Sequence, residues 1–184
     1  WAYAKAGVAA DALYAAVAEA AVRGGLDHFN PQGLAITVWA FATAGVAADD
    51  LYAAVAEAAV RGGLARFNPQ DLANTVWAYA AADQYHPSLF ANCSRVISDS
   101  LAQDPARWSE NDRSQLHQWQ LWLFLERGAE AQQHLLSDSQ RQLCCAAMQG
   151  TQVTISRLQR SVADSLATVR YSLKEEYLEP RTGY

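Results

Sequence analysis

The amino-acid sequence predicts an all-α chain: a right-handed α-solenoid of 38-residue helical hairpins, followed by a packed helical segment. Three observations predict it. Trp1, Trp39 and Trp77 recur at an interval of 38, and Gly7/Gly45, Phe29/Phe67 and Pro31/Pro69 keep the same interval. Residues 1–38 match residues 39–76 at 31 of 38 positions, which chance does not produce and duplication does. Finally, 28 of the 37 alanines fall in residues 1–82, so the repeats stop near there and a different helical segment follows.

Each unit reads as two helices. Asn30 is suited to cap the first, Pro31 fits the first helical position, where its missing N–H costs nothing, and Gly45 is suited to close the far end in the left-handed region. That places helix A at about 31–44, repeated at 68–82 with Asp71 added to the first turn, where a carboxylate favours the helix dipole. Leu34, Val38, Phe41 and Ala42 form one apolar stripe, with Trp39 on its shoulder. Asp49 is expected to cap helix B, about 50–61, which Gly62-Gly63 stops. Its apolar positions are Leu51, Val55 and Ala58. Neither helix has a core alone, so each must bury its stripe on its partner and on the next unit.

Beyond the repeats, a helix is expected at about 87–102, broken by Asp104-Pro105. Ser109-x-x-Asp112 is a capping-box variant opening a helix over 110–127 that Gly128 closes. Helices at 130–136, 138–149 and 155–170 follow, the last with Leu158, Val162, Leu166 and Val169 on one face. Residues 171–184 alternate as a strand would. The organisation expected is repeats over 1–86, a helical segment over 87–170, and the start of another domain over 171–184. With Trp1 in first place and no targeting peptide, the chain reads as a fragment.

Composition excludes several classes. No stretch approaches the ~20 apolar residues that span a bilayer, so no membrane partner is expected. Lys and Arg number 14 against 19 Asp and Glu, a net charge of −5, which offers no gross attraction for a polyanion. Cys93, Cys144 and Cys145 are too few and too badly spaced for a disulfide framework or a zinc site, and favour a reducing compartment. His28 is replaced by Arg66 in the next unit, and His86, His117 and His134 are isolated. No phosphate loop, nucleophile elbow or paired-carboxylate arrangement occurs. Catalytic residues, metal ligands, cofactors and a small-molecule substrate are therefore not expected, and the chain reads as a non-enzyme.

The interval of 38 and the string Phe67-Asn-Pro-Gln-Asp-Leu-Ala-Asn-Thr-Val-Trp-Ala-Tyr-Ala resemble the octotricopeptide repeat family, and the same segment is similar to repeats of FAST-kinase-like proteins. Leu116-His117-Gln118, the pattern from Leu158 to Leu166, and Glu175-Glu176 through Thr182-Gly183-Tyr184 resemble the lead-in to a RAP domain. The chain ends where that domain's core would begin. The resemblance implies single-stranded RNA as partner, a role in organellar RNA processing, stability or translation, other proteins of an organellar RNA complex, and a chloroplast or mitochondrial address. A RAP core resembles a nuclease-type fold, so an intact protein of this kind could cleave RNA even though these residues could not.

Charge runs against that expectation, because the two units are net −1 and −2 and phosphate neutralisation dominates nucleic-acid affinity. The candidate contacts are the positions where near-identical units differ. At about 100° per residue, Gly33 and Ile36 face away from the apolar stripe, as do their counterparts Asp71 and Asn74. Such positions either read bases, as in one-base-per-repeat codes, or drift because nothing packs on them. Asn74 is suited to hydrogen-bond a base edge. Arg61 and Arg66, flanking Gly62-Gly63, are suited to phosphate or are solvated helix-end charges. Trp39 and Trp77 are suited to stack bases, but their place beside the stripe favours packing. The rival reading is a protein-binding α-solenoid scaffold without RNA contact.

Overall fold

The computed structural model describes residues 1–150. Every regular element among them is helical: α1 (Ala2–Ala6), α2 (Asp11–Gly24), α3 (Pro31–Ala44), α4 (Asp49–Gly62), α5 (Pro69–Ala81), α6 (Pro87–Gln103), α7 (Glu110–Trp122), α8 (Gly128–Ala131) and α9 (Asp138–Gly150), with short 3-10 turns and one π turn between them. The helix expected over 155–170 and the strand over 171–184 lie outside the described residues. So does the boundary at 170.

The helices stack in two rows. α1, α3, α5, α7 and α9 pack each on the next, and α2, α4 and α6 do the same behind them. Thus the helical segment after residue 86 extends both rows of the repeats. Leu34, Val38, Phe41, Leu51, Val55 and Ala58 are buried as the stripes require, and Trp39 is half-buried at the edge of the core.

Local chemistry sets the ends. Asn30 accepts from the Gly33 amide at 2.7 Å, and Gly45 adopts φ 66° and donates to the Ala42 carbonyl while the Val46 amide donates to Phe41. Helix B departs from expectation. It begins at Asp49 rather than after it: Ala48 is the N-cap and supplies no side-chain bond. Asp49 instead accepts from Gln84 at 2.8 Å, so its carboxylate ties α4 to the loop after α5.

The third unit closes differently from the first two. Asp83 stands where Gly45 stands in the second unit and takes the left-handed conformation, φ 55°. Its cost is offset by side-chain contacts a glycine cannot make, Asp83 Oδ1 accepting from the Trp122 indole at 3.0 Å and from Arg127; the Asp83 carbonyl also accepts from Arg127, at 3.1 Å. The helix expected over 110–127 is α-helical only to Trp122, and Leu123–Arg127 widen into a π turn. That extra residue per turn aims Arg127 at Asp83 and leaves Phe124 and Leu125 on the surface. The span 130–136 is a short helix to Ala131 and a 3-10 turn over Gln132–His134.

Candidate nucleic-acid interface

The repeated tryptophans come together on the row of odd-numbered helices. Trp39 of α3 and Trp77 of α5 lie with ring centroids 6.3 Å apart, tilted by 35°, both half-buried. Trp77 donates its indole N–H to Gln118 Oε1 at 2.6 Å, and the Gln118 amide reaches Met148 Sδ at 3.8 Å. One turn earlier, Gln115 donates to Asn74 Oδ1 at 3.0 Å. Two tryptophans and three amides therefore run across α3, α5 and α7. Asn74 is half-buried, not free. Its oxygen already accepts from Gln115, which leaves one lone pair and the Nδ2 donors to meet a base edge.

Asp71 and Gly33 do not face outward as their helical angle suggests. Asp71 is 5% exposed and forms a full capping box: its backbone N–H donates to Asn68 Oδ1 at 2.8 Å, and its carboxylate accepts from the Asn68 amide at 3.3 Å. Burial pushes its pKa up, and the Asn68 amide opposes this. Gly33 holds the same third position of α3 and supplies only the backbone half of the box. The 33/71 difference is thus a difference in capping. The angle misleads because the first turn of a helix is covered by the chain that enters it.

Ile36 is half-buried beside a cleft of about 150 Å³ that also borders Trp1, Tyr3, Leu13 and Val17. Arg61 and Arg66 share a different cleft, about 260 Å³, at the junction of the first two units. Arg61 is paired across that junction with Asp27, by Nη2 at 2.7 Å and Nε at 3.2 Å, both groups exposed. Arg66 is exposed beside it. So the structure brings only Arg61 and Arg66 together: Gly33 and Asp71 hold the first turns of two different helices, Asn74 joins the amide ladder, and Ile36 borders the cleft beside Trp1.

Comparison with protein-family models, curated proteins and solved structures returns no match.

Other chemistry-bearing groups are packed. Cys93 and Cys144 are buried, and burial pushes the Cys144 thiol up to about 12, which makes a poor nucleophile. Burial holds His86 and His134 below the ordinary imidazole value, with Glu57 opposing this at His86. Among the described residues no three His, Cys, Asp or Glu side chains gather as metal ligands, and no helix is long and apolar enough to cross a membrane. A cleft of about 520 Å³ lies between the end of α7 and α9, where Leu121, Phe124 and Leu125 face Arg141 and Cys145.

Two sets of residues escape a reading of the sequence. Gln115 and Gln118 lie on α7, outside the repeats, so no interval marks them. Tyr14, Tyr52 and Tyr79 are the other set. Tyr14 stacks edge-on to Phe41 at 5.0 Å and Tyr52 to Tyr79 at 5.1 Å, a ladder through the interior. The 38-residue interval between Tyr14 and Tyr52 was its available signal.

Proposed function

We propose that the chain is an RNA-binding helical-repeat module, a right-handed α-solenoid of the octotricopeptide type leading into a RAP domain, that acts without catalysis in organellar RNA processing, stability or translation. The observation that carries it is the pair of repeat-matched tryptophans, half-buried side by side and continued by Asn74, Gln115 and Gln118. Half-buried aromatic rings flanked by amides suit single-stranded RNA, since every base offers a face to stack and an edge to hydrogen-bond. Arg66 supplies a phosphate contact at the junction, and Arg61 supplies one when phosphate displaces Asp27. The location this reading carries is chloroplast or mitochondrion, with other RNA-complex proteins as further partners.

The rival is a scaffold that binds protein and not RNA, which the net charge of −5 favours. One experiment separates them. The 184-residue chain and its Asn74→Ala and Arg66→Ala variants are titrated with randomised single-stranded RNA at two salt concentrations. Loss of a base contact costs about 1–3 kcal/mol and relaxes preference at one nucleotide. Loss of a phosphate contact weakens all sequences alike and flattens the salt slope by ~0.7. Variants that match the parent in affinity, preference and slope remove these residues from the reading face. A parent that binds no RNA at low salt leaves the scaffold.

A further inference from the structure

Identical residues in the first two units meet different fates. Leu51 and Val55 are 1% and 0% exposed, whereas Leu13 and Val17, the same residues 38 positions earlier, are 44% and 43% exposed. Tyr3 is 50% exposed where its counterpart Phe41 is 2%. What differs is the neighbour. Leu51 and Val55 lie on α4, which packs against α2, and Leu51 shares the rim of a cleft with Ala18 and Val22 of that helix.

The contacts between consecutive units are copies of one another. Tyr14 meets Phe41, and Tyr52 meets Tyr79, at 83° and 82° between ring planes. One step back, Tyr3 holds the place of Phe41 and Tyr79. Hydrogen bonding points the same way. Tyr52 donates its hydroxyl to the Val38 carbonyl at 3.3 Å, but the buried Tyr14 hydroxyl has no partner. Shifted by 38, its acceptor is the carbonyl of a residue one place ahead of Trp1. The cleft beside Ile36 borders Tyr14 itself, along the middle of α3.

We propose that this face is an interaction surface for a further 38-residue helical pair of the same design, seated ahead of Trp1. Its second helix lays Ala18- and Val22-like residues on Leu13 and Val17. It sets a tyrosine ring edge-on to Tyr3, and its chain brings a carbonyl to the Tyr14 hydroxyl. The occupant is such a unit rather than a second copy of this chain, because the matching faces of α2 and α4 are already covered by α4 and α6. The proposal stands on the repeat geometry and is independent of RNA binding.

The test extends the 184-residue chain by duplicating residues 1–38 ahead of Trp1, and follows amide exchange and sedimentation of both forms. Protection of residues 11–24 is expected to rise about tenfold or more, towards that of 49–62, with both forms monomeric. Tyr14→Ala in the added copy alone, which removes the ring set against Tyr3, should reverse part of the gain. Leu13→Asp serves where the added unit fails to fold. In the 184-residue chain it should leave the urea midpoint nearly unchanged, because the face is open. Unchanged protection in a folded extended chain overturns the proposal. So does a parent dimer that already protects residues 11–24, or a Leu13→Asp variant that unfolds the parent.

Discussion

The Trp77 indole donates to the Gln118 side-chain oxygen at 2.6 Å, joining the last repeat helix to α7, which lies outside the repeats. A tryptophan anchored through its nitrogen keeps one ring orientation, which serves packing and base stacking alike. Trp77→Phe should cost about 1 kcal/mol, the net worth of one such bond, while Trp77→Ala should cost about 3 kcal/mol through lost packing. Pairing each with Gln118→Ala in a double-mutant cycle should give a coupling near 1 kcal/mol for the indole–amide bond. Urea melts of the six chains, the parent and its five variants, measure it. No coupling would mean that the two side chains act independently.

The capping box at Asn68 and Asp71 predicts a gain elsewhere. Gly33→Asp would give α3 the box that α5 has, and would also remove a glycine from a helix. The added Cβ would stand 3.1 Å from Asn30 Oδ1 and 3.3 Å from Phe29, whose 42% exposed ring is free to shift. The expected outcome is a stabilisation of about 1 kcal/mol, and Asp71→Gly should lose a similar amount. A destabilised Gly33→Asp chain would show that Phe29 cannot give way.

The repeat geometry was legible because duplication turned one helix pair into an internal alignment. Asn30, Pro31 and Gly45 mark α3 within a residue, and the 38-residue interval carries those bounds to α5. Helix B was less legible. Asp49 looks like a cap, yet it sits inside the first turn, as Asp11 does in α2, and its carboxylate accepts instead from Gln84, 35 residues away. The π turn at Leu123–Arg127 has no local signal, since Asp83, far earlier in the chain, is what it reaches. In the candidate site, residue differences between units marked positions but not their cause. Asp71 differs from Gly33 for capping, whereas Asn74 differs from Ile36 where an amide on α7 can meet it.

Acid should weaken the fold through the buried imidazoles. His134 is 2% exposed, with Tyr85 and Phe90 against its ring and neither ring nitrogen bonded. Its pKa is held below the ordinary 6.5 by burial, so the unfolded chain binds the proton more tightly. Stability is therefore full above about pH 6.5 and falls as pH drops below it, in the sense linkage requires. His86 adds to the same trend, and Asp71, raised by burial, opposes it only in the carboxylate range. Urea midpoints measured from pH 7.5 to pH 5.5 should decline in the parent and decline less in His134→Leu. Equal slopes would remove His134 as the source.

The tyrosine ladder offers one side chain in three states of hydroxyl bonding. Tyr79 donates to the Tyr52 carbonyl at 2.6 Å, Tyr52 donates to the Val38 carbonyl at 3.3 Å, and the Tyr14 hydroxyl is buried without a partner. Removing a hydroxyl that is bonded in the interior loses that bond, whereas removing an unbonded one relieves a desolvation cost. Tyr79→Phe should therefore lose about 1–2 kcal/mol, Tyr52→Phe less because its bond is longer, and Tyr14→Phe nothing or a slight gain. The rings stay in place in all three variants, so the comparison isolates the hydroxyl. Urea melts give the order directly. A loss at Tyr14 as large as that at Tyr79 would mean that its hydroxyl already has an acceptor in the 184-residue chain, and that the ladder is closed at both ends.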